Sequence, residues 1–236
     1  MSPIHIWIGT EPAQHLPTAV LKHSILKRTK TPVEFHDLAG SLGLKMYTGF
    51  SFYRWSIPSR SGFVGRAIYL DADIVCNCDV KELAEMDLGQ NTHAARPVGS
   101  GQGYFTSVML LDCEKLKVWD FPSMLTSAQR ERNYYNQIMW GRGDAITGRN
   151  VKPLDHKWNA MDQLRAMDCG PEAKFYHYTT IPTQPWKAPG HPQSSIWTAE
   201  LLDAVRAGAL KREDVQREMD NGHCRKGLLG RELMAV

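Results

Sequence analysis

Two carboxylates, Asp71 and Asp73, stand two positions apart in the stretch RAIYLDADIVCNCDV, which runs from Arg66 to Val80. The residues before them, Ala67 to Leu70, are apolar and read as a buried strand. Residues i and i+2 of a strand project to the same side, so this spacing lets both carboxylates converge on one point. Two bare carboxylates at one point repel each other, and a divalent cation removes that cost. Mg²⁺ and Mn²⁺ favour oxygen donors of this kind. In an open α/β sheet the ligand crevice lies outside the carboxyl ends of the strands, and Asp71 and Asp73 follow directly on such an end. The plainer reading makes Asp71 a turn residue and Asp73 a solvated loop charge. His177 is a further candidate donor, set in Tyr176-His177-Tyr178 ahead of Thr179-Thr180 and Pro185-Trp186-Lys187. A neutral imidazole suits Mn²⁺ better than Mg²⁺, and Lys187 offers a point charge to a diphosphate. The alternative for His177 is a satisfied core or surface histidine.

The elements that must position these groups are legible as apolar runs. Ile4 to Ile8 (IHIWI) reads as a first buried strand closed by Gly9. The spacing in Ala19–Lys27 predicts a helix, and Pro32–His36 alternates as a second strand would. Strand, helix, strand points to a parallel α/β sheet. Gly49–Ile57 predicts a helix carrying Arg54 and ended by Pro58. Asp79 followed three positions later by Glu82 has the form of a capping box, so a short helix is expected from Asp79. Ala94–Val98, Tyr104–Asp112 and Phe175–Tyr178 read as strands, and Arg130–Trp140 as a helix. The proline-rich stretch Thr180–Ser195 is irregular. Thr198–Met219 is charged and amphipathic, a surface helix or helix pair.

With 236 residues the chain has room for one sizeable domain, or one domain with a small appendage. A formal net charge of +3 does not demand a polyanionic partner, and no nucleic acid is expected. The five cysteines are odd in number and scattered, which fits reduced thiols in a cytoplasm. No basic segment leads into an apolar run as in a signal peptide, and no stretch approaches the roughly 18 apolar residues of a membrane span. The basic residues of Leu201–Arg231 are broken up by Glu213, Asp214, Glu218 and Asp220, so membrane contact is not supported.

The order of these pieces resembles family-8 glycosyltransferases, the retaining enzymes that include glycogenin and the bacterial lipopolysaccharide galactosyltransferases. Phe52-Tyr53-Arg54 precedes Tyr69-Leu70-Asp71-Ala72-Asp73, then come Phe105-Thr106-Ser107-Val108-Met109-Leu110, Trp158-Asn159, and His177 through Pro185-Trp186. The resemblance covers Ile4 to about Trp186. It implies an α/β chain with a single nucleotide-sugar-binding domain of the GT-A type, residues 1–197. That domain would have a mostly parallel central sheet flanked by helices, followed by a helical appendage at 198–236. It also implies that Asp71, Asp73 and His177 hold Mn²⁺, with Mg²⁺ as the other option. Trp7, Ile8, Gly9 and Thr10 would hold the base and ribose. Arg54, Ala72, Thr106, Trp186 and Lys187 complete the donor site. The implied donor is a nucleoside-diphosphate sugar, a UDP-sugar first, and the acceptor a saccharide or other hydroxyl.

This chain departs from the family pattern at several positions. Thr106 stands for an Asn, Val108 and Thr180 for glycines, and Gln184 for a Lys before Pro-Trp. The family's Asp-Gln-Asp segment is best matched by Tyr135-Asn136-Gln137-Ile138, which makes Asn136 and Gln137 the candidates for stabilising positive charge on the sugar. Asp112 and Asp155 are reserve carboxylates with the alternative role of turn residues. Two other readings stay open. One is a catalytically degenerate carbohydrate- or partner-binding protein on the same scaffold. The other is a metal-dependent phosphohydrolase. Among the tryptophans, Trp55, Trp119, Trp140 and Trp197 read as core.

Overall fold

The computed structural model describes residues 2–40, 42, 50–99, 103–142, 150–162, 168–228 and 230. They fall into two compact units. The first comprises Met1–Glu11, Thr31–Asp71 and Lys81–Trp158. The second comprises Pro12–Lys30, Ala72–Val80 and Asn159–Val236.

The first unit is built on a six-stranded sheet. Its strands are β1 (Ile4–Gly9), β2 (Val33–Leu38), β3 (Arg66–Asp71), β5 (His93–Pro97), β6 (Tyr104–Asp112) and β7 (Val151–Pro153), in the spatial order β2-β1-β3-β6-β5-β7. β2-β1-β3 and β5-β7 pair in parallel, and β6 runs antiparallel to both its neighbours. The sheet is therefore mostly parallel, as expected, with one reversed strand. β1, β3 and β6 are apolar on both faces, which is the pattern of strands covered on both sides. One face gathers Trp7, Ala67, Tyr69, Met109 and Leu111 with Phe52, Trp55, Trp119, Tyr135 and Ile138 into one core. Helices α4 (Phe121–Arg130) and α5 (Arg132–Met139) contribute Met124, Ala128, Tyr135 and Ile138 to it. Helix α3 (Lys81–Ala84) lies against β3.

Three helix expectations in this unit are corrected. Gly49 lies outside the described residues, and Ser51–Ser56 is a 3₁₀ turn that runs on into α2 (Ile57–Arg60). Pro58 does not end that helix. It sits in the first turn, where a proline forfeits no intrahelical bond. Helix α3 begins at Lys81, two residues later than the capping pattern at Asp79 predicted. The helix expected at Arg130–Trp140 starts later, as α5 from Arg132, because Glu131 takes an extended backbone at φ −126° and ψ 104°; Arg130 closes the preceding helix α4.

The second unit holds a three-stranded sheet, which the sequence reading did not anticipate. β4 (Ile74–Cys76) pairs antiparallel with β9 (Phe175–His177), and β8 (Ala160–Met161) pairs parallel with β9. Helices α1 (His15–Leu26) and α6 (Ser194–Arg206) both pack on β4 and on each other, and α7 (Arg212–Asp220) packs on α1. On α6 the buried residues Trp197, Leu201 and Ala204 recur at helical spacing. They join Leu16, Val20, Tyr176, Trp186, Val215 and Met219 in the unit's core. The expected helix pair is present, but one side of each helix is core rather than surface. All five cysteines are reduced and buried. Among the described residues no helix is long and apolar enough to cross a membrane.

Candidate active site

In the first unit, Asp71 closes β3 opposite Gly9, the last residue of β1. Tyr69 lies two residues earlier on the same face, and its hydroxyl donates to Asp71 Oδ1. Gly9 makes this bond possible, because a Cβ there would overlap the Tyr69 hydroxyl and press on the Phe50 ring. Arg54 Nη2 donates to the same Asp71 oxygen at 3.1 Å. The Arg54 side chain is buried and lies 4.5 Å above the Tyr69 ring. Its Nε donates to Ser51 O at 2.7 Å, and its Nη1 donates to Thr106 O at 2.7 Å and Thr106 Oγ1 at 3.0 Å. Thr106 in turn donates its hydroxyl to Met139 O at 3.1 Å, at the end of α5. Arg54 and Thr106 thus form a buried scaffold that aims the Asp71 carboxylate.

Of the other residues expected around the donor, Trp7 is buried and stacks on His36 with ring centroids 4.3 Å apart. Ile8 is wholly buried, and Thr10 donates its backbone N–H to Leu38 O at 3.1 Å. On α5, Asn136 is half-buried and Gln137 exposed, while their neighbours Tyr135 and Ile138 point into the core. Asp112 and Asp155 are turn residues, accepting the N–H of Lys115 at 3.4 Å and of Lys157 at 3.0 Å.

In the second unit, Ala72 and Asp73 form the turn that enters β4. Asp73 is therefore outside the strand, and the alternation argument that would have placed it beside Asp71 does not apply. Its backbone carbonyl accepts the Tyr178 N–H at 2.9 Å, and the β4–β9 register sets Ile74 opposite His177. His177 is buried, with Nδ1 2.9 Å from Asn159 Oδ1. An amide oxygen only accepts, so Nδ1 carries a hydrogen and Nε2 is the nitrogen left to face Asp73. Nε2 is 3.1 Å from Asp73 Oδ1, an ion pair when the ring is protonated, and that buried oxygen has no other partner among the described residues. The other Asp73 oxygen is held by Gln184 Nε2 at 3.0 Å, and Gln184 also donates to Tyr178 O at 2.8 Å. An imidazole and a carboxylate thus meet in a buried place, and their immediate partners hold them there. An imidazole with a carboxylate is a donor set that a divalent first-row ion fits.

A second carboxylate fixes the turn after His177. Asp162 Oδ1 accepts the Thr179 N–H at 2.7 Å and the Thr179 hydroxyl at 2.6 Å, and the Thr180 N–H at 3.2 Å. Asp162 Oδ2 lies 2.9 Å from His191 Nε2. The Gln193 N–H donates to His191 Nδ1 at 3.0 Å, so it is Nε2–H that donates to Asp162. Burial pushes the Asp162 carboxyl up, but the bonds from Thr179 and His191 outweigh it and hold it below the usual range. Trp186 is fully buried against Trp197 and Tyr178, while Lys187 is exposed.

Several residues of this arrangement escaped the sequence reading. Asn159 and Gln184 were visible only as members of motifs, without a role. Tyr69 read as strand core. Asp162 and His191 carry no local signal, since 29 positions separate them.

Comparison with known proteins agrees with the geometry. The profile of glycosyl transferase family 8 matches residues 19–190. Protein CDI of Arabidopsis thaliana is 33% identical over 95 residues, 36% of this chain and 37% of that protein. The fold is similar to that of the apo bifunctional glycosyltransferase WbbM, with a TM-score of 0.71 at 11% identity over 85% of this chain and 50% of that one. It is similar to GlyE of Streptococcus pneumoniae TIGR4, with a TM-score of 0.68 at 16% identity over 95% and 65%. It is also similar to the galactosyltransferase LgtC solved with donor and acceptor sugar analogues, with a TM-score of 0.61 at 14% identity over 88% and 100%. The chain thus spans about a third of Protein CDI and half of WbbM. With a profile match over most of its length and the α/β fold of these transferases, the chain belongs to glycosyl transferase family 8.

Proposed function

We propose that this chain is a Mn²⁺-dependent, retaining glycosyltransferase. It would move a hexose from a nucleoside-diphosphate sugar, a UDP-sugar first, to a saccharide or other hydroxyl acceptor. Asp71, Asp73 and His177 would hold the metal. The observation that carries the reading is the buried imidazole–carboxylate pair, with His177 Nε2 3.1 Å from an Asp73 oxygen that has no other partner among the described residues. Asp71 follows from the chain itself, two residues before Asp73 and presented by Arg54 and Tyr69. A bound divalent ion would neutralise the diphosphate as it leaves.

The remaining roles belong to the protein's own groups. Asn159 and Gln184 keep His177 and Asp73 pointed, so no side chain has to reorganise as charge develops. Asn136, half-buried on α5, would offer its amide oxygen to a sugar ring gaining positive charge, with Gln137 as the alternative. Lys187 is exposed and would reach the diphosphate as a point charge. Gly9 and the backbone around Trp7, Ile8 and Thr10 would lie beside the base and ribose. The buried, reduced cysteines support a cytoplasmic, reducing compartment.

The test is nucleotide release from a panel of UDP- and GDP-sugars, with Mn²⁺ and with chelator, in the wild type and in Asp73→Asn. Release that needs Mn²⁺ and falls roughly a hundredfold or more in Asp73→Asn is expected. Turnover that is indifferent to chelator would overturn the metal assignment. Tight nucleotide binding with no release from any donor would leave a binding protein on a transferase scaffold.

A further inference from the structure

A different donor set sits on the first unit, at the outer edge of its sheet. β1 and β2 are parallel, in a register that sets His5 beside Glu34 and Trp7 beside His36. Alternation places these four side chains on one face. The His36 ring is sandwiched: it stacks on Trp7 at 4.3 Å and 22°, and on His5 at 5.4 Å and 25°. His5 Nδ1 is 3.2 Å from His36 Nε2. The two Glu34 carboxylate oxygens complete the group, one 3.6 Å from His5 Nδ1 and the other 3.6 Å from His36 Nε2.

Two ring nitrogens facing each other share at most one hydrogen, so one of them already offers a lone pair. A tetrahedral Zn²⁺ binds nitrogen at about 2.0–2.1 Å and carboxylate oxygen at about 2.0–2.2 Å, which puts neighbouring donor atoms about 3.3–3.5 Å apart. The nitrogen pair at 3.2 Å meets that spacing, each Glu34 oxygen lies 3.6 Å from one of the two nitrogens, and one donor atom from each of the three side chains lies within 4.8 Å of the others.

We propose that His5, Glu34 and His36 form a second, separate metal site, one that takes Zn²⁺ or a neighbouring first-row ion that prefers imidazole. Glu34 and His5 are well exposed, at 54% and 42%, so the ion has a way in and a fourth position remains for water. Two imidazoles and one carboxylate are a softer set than two carboxylates and one imidazole, so this site discriminates against Mn²⁺ and Mg²⁺. Its ligands come from two strands and share a face only in the folded register. An ion bound there therefore staples β2, which has a partner on one side only, to β1, and stabilises the first unit by mass action.

The test uses the full chain without an affinity tag, chelator-treated, in an Asp73→Asn background that disables the other donor set. Zn²⁺ is titrated by calorimetry and thermal shift, and Co²⁺ is used as a spectroscopic probe. One equivalent of Zn²⁺, a raised Tm and the intense visible bands of tetrahedral Co²⁺ are expected. Losing even outer partners of a metal ligand costs about 10–100-fold in affinity. His36→Ala and Glu34→Gln are therefore each expected to weaken Zn²⁺ binding at least roughly tenfold. Glu34→Gln is half-exposed and keeps the Trp7–His36 stack, so it decides the matter even where His36→Ala folds poorly. Failure of the Asp73→Asn protein to bind Zn²⁺, or unchanged affinity in Glu34→Gln, would overturn the site.

Discussion

At the scale of single residues, the site depends on groups that are not themselves donors. Asn159 accepts the His177 Nδ1–H and thereby fixes which nitrogen faces Asp73. Asn159→Ala frees the ring to turn and to change tautomer, so Mn²⁺ affinity should fall about 10–100-fold. Titration of free Mn²⁺ by electron paramagnetic resonance measures this directly, and an unchanged affinity would remove Asn159 from the site. Gly9→Ala is the corresponding case for Asp71. The added methyl has nowhere to go but into the Tyr69 hydroxyl, so it should cost about 1–3 kcal/mol in denaturant melts. Asp71 and Asp73 stood out in the sequence because the pair follows an apolar strand. Their supports were not. Gln184 looked like a departure from a pattern, yet it is buried and bonded to Asp73. Arg54 looked like a ligand-facing cation, and its guanidinium holds Ser51, Thr106 and Asp71. Sequence shows which residue types are present, but which of them spend their hydrogen bonds internally depends on contacts across many positions.

At the scale of elements, long apolar strands were readable and short polar pieces were not. β1, β3 and β6 announce themselves by continuous burial on both faces. α4 does carry an apolar stripe, Phe121, Met124, Leu125 and Ala128 at i, i+3, i+4 and i+7, but it is set among serines and a threonine and was passed over. β8 has two residues and β4 three, too few for any period to register. The pairing of α1 with α6 is a similar long-range matter. Lys27 Nζ lies 2.8 Å from Asp203 and 2.9 Å from Glu200, Arg28 lies 2.6 Å from Glu200, and His23 lies 2.9 Å from Asp203. Hydrogen bonds from Lys27 and then His23 pull the Asp203 carboxyl down to about 2. A carboxylate whose folded value lies below its unfolded one stabilises the fold above about pH 4 and stops doing so as pH falls toward 2. Asp203→Asn should therefore lower Tm near neutrality, and the gap to wild type should close between pH 4 and 2. Asp203 is nearly half exposed, so the gap should also shrink in high salt. A gap that persists at pH 2 would show that Asp203 acts by packing instead.

At the scale of the whole molecule, the main liability toward acid is a histidine outside both donor sets. His93 opens β5 and is 3% exposed, edge-on to Trp119 at 5.4 Å, with Nδ1 3.0 Å from the Thr92 hydroxyl. Burial pushes its pKa down to about 4. The unfolded chain takes up this proton near pH 6.5, so between about 6.5 and 4 the unfolded state holds one proton more than the folded state. Stability then falls as pH falls, by at most about 1.4 kcal/mol per pH unit, and levels off below 4. Across that window the loss is on the order of 3 kcal/mol, a large share of the roughly 5–15 kcal/mol that holds a typical domain together. The Thr92 hydroxyl also lies 3.2 Å from Asn150 O, so an apolar replacement of the ring leaves it a partner. His93→Met should therefore keep the fold and flatten the pH 6.5–4 limb of the stability curve, while leaving the Asp203-dependent limb below pH 4 in place. Urea melts at half-unit pH steps separate the two limbs, and a His93→Met protein that still loses stability between pH 6.5 and 4 would assign that limb to other groups.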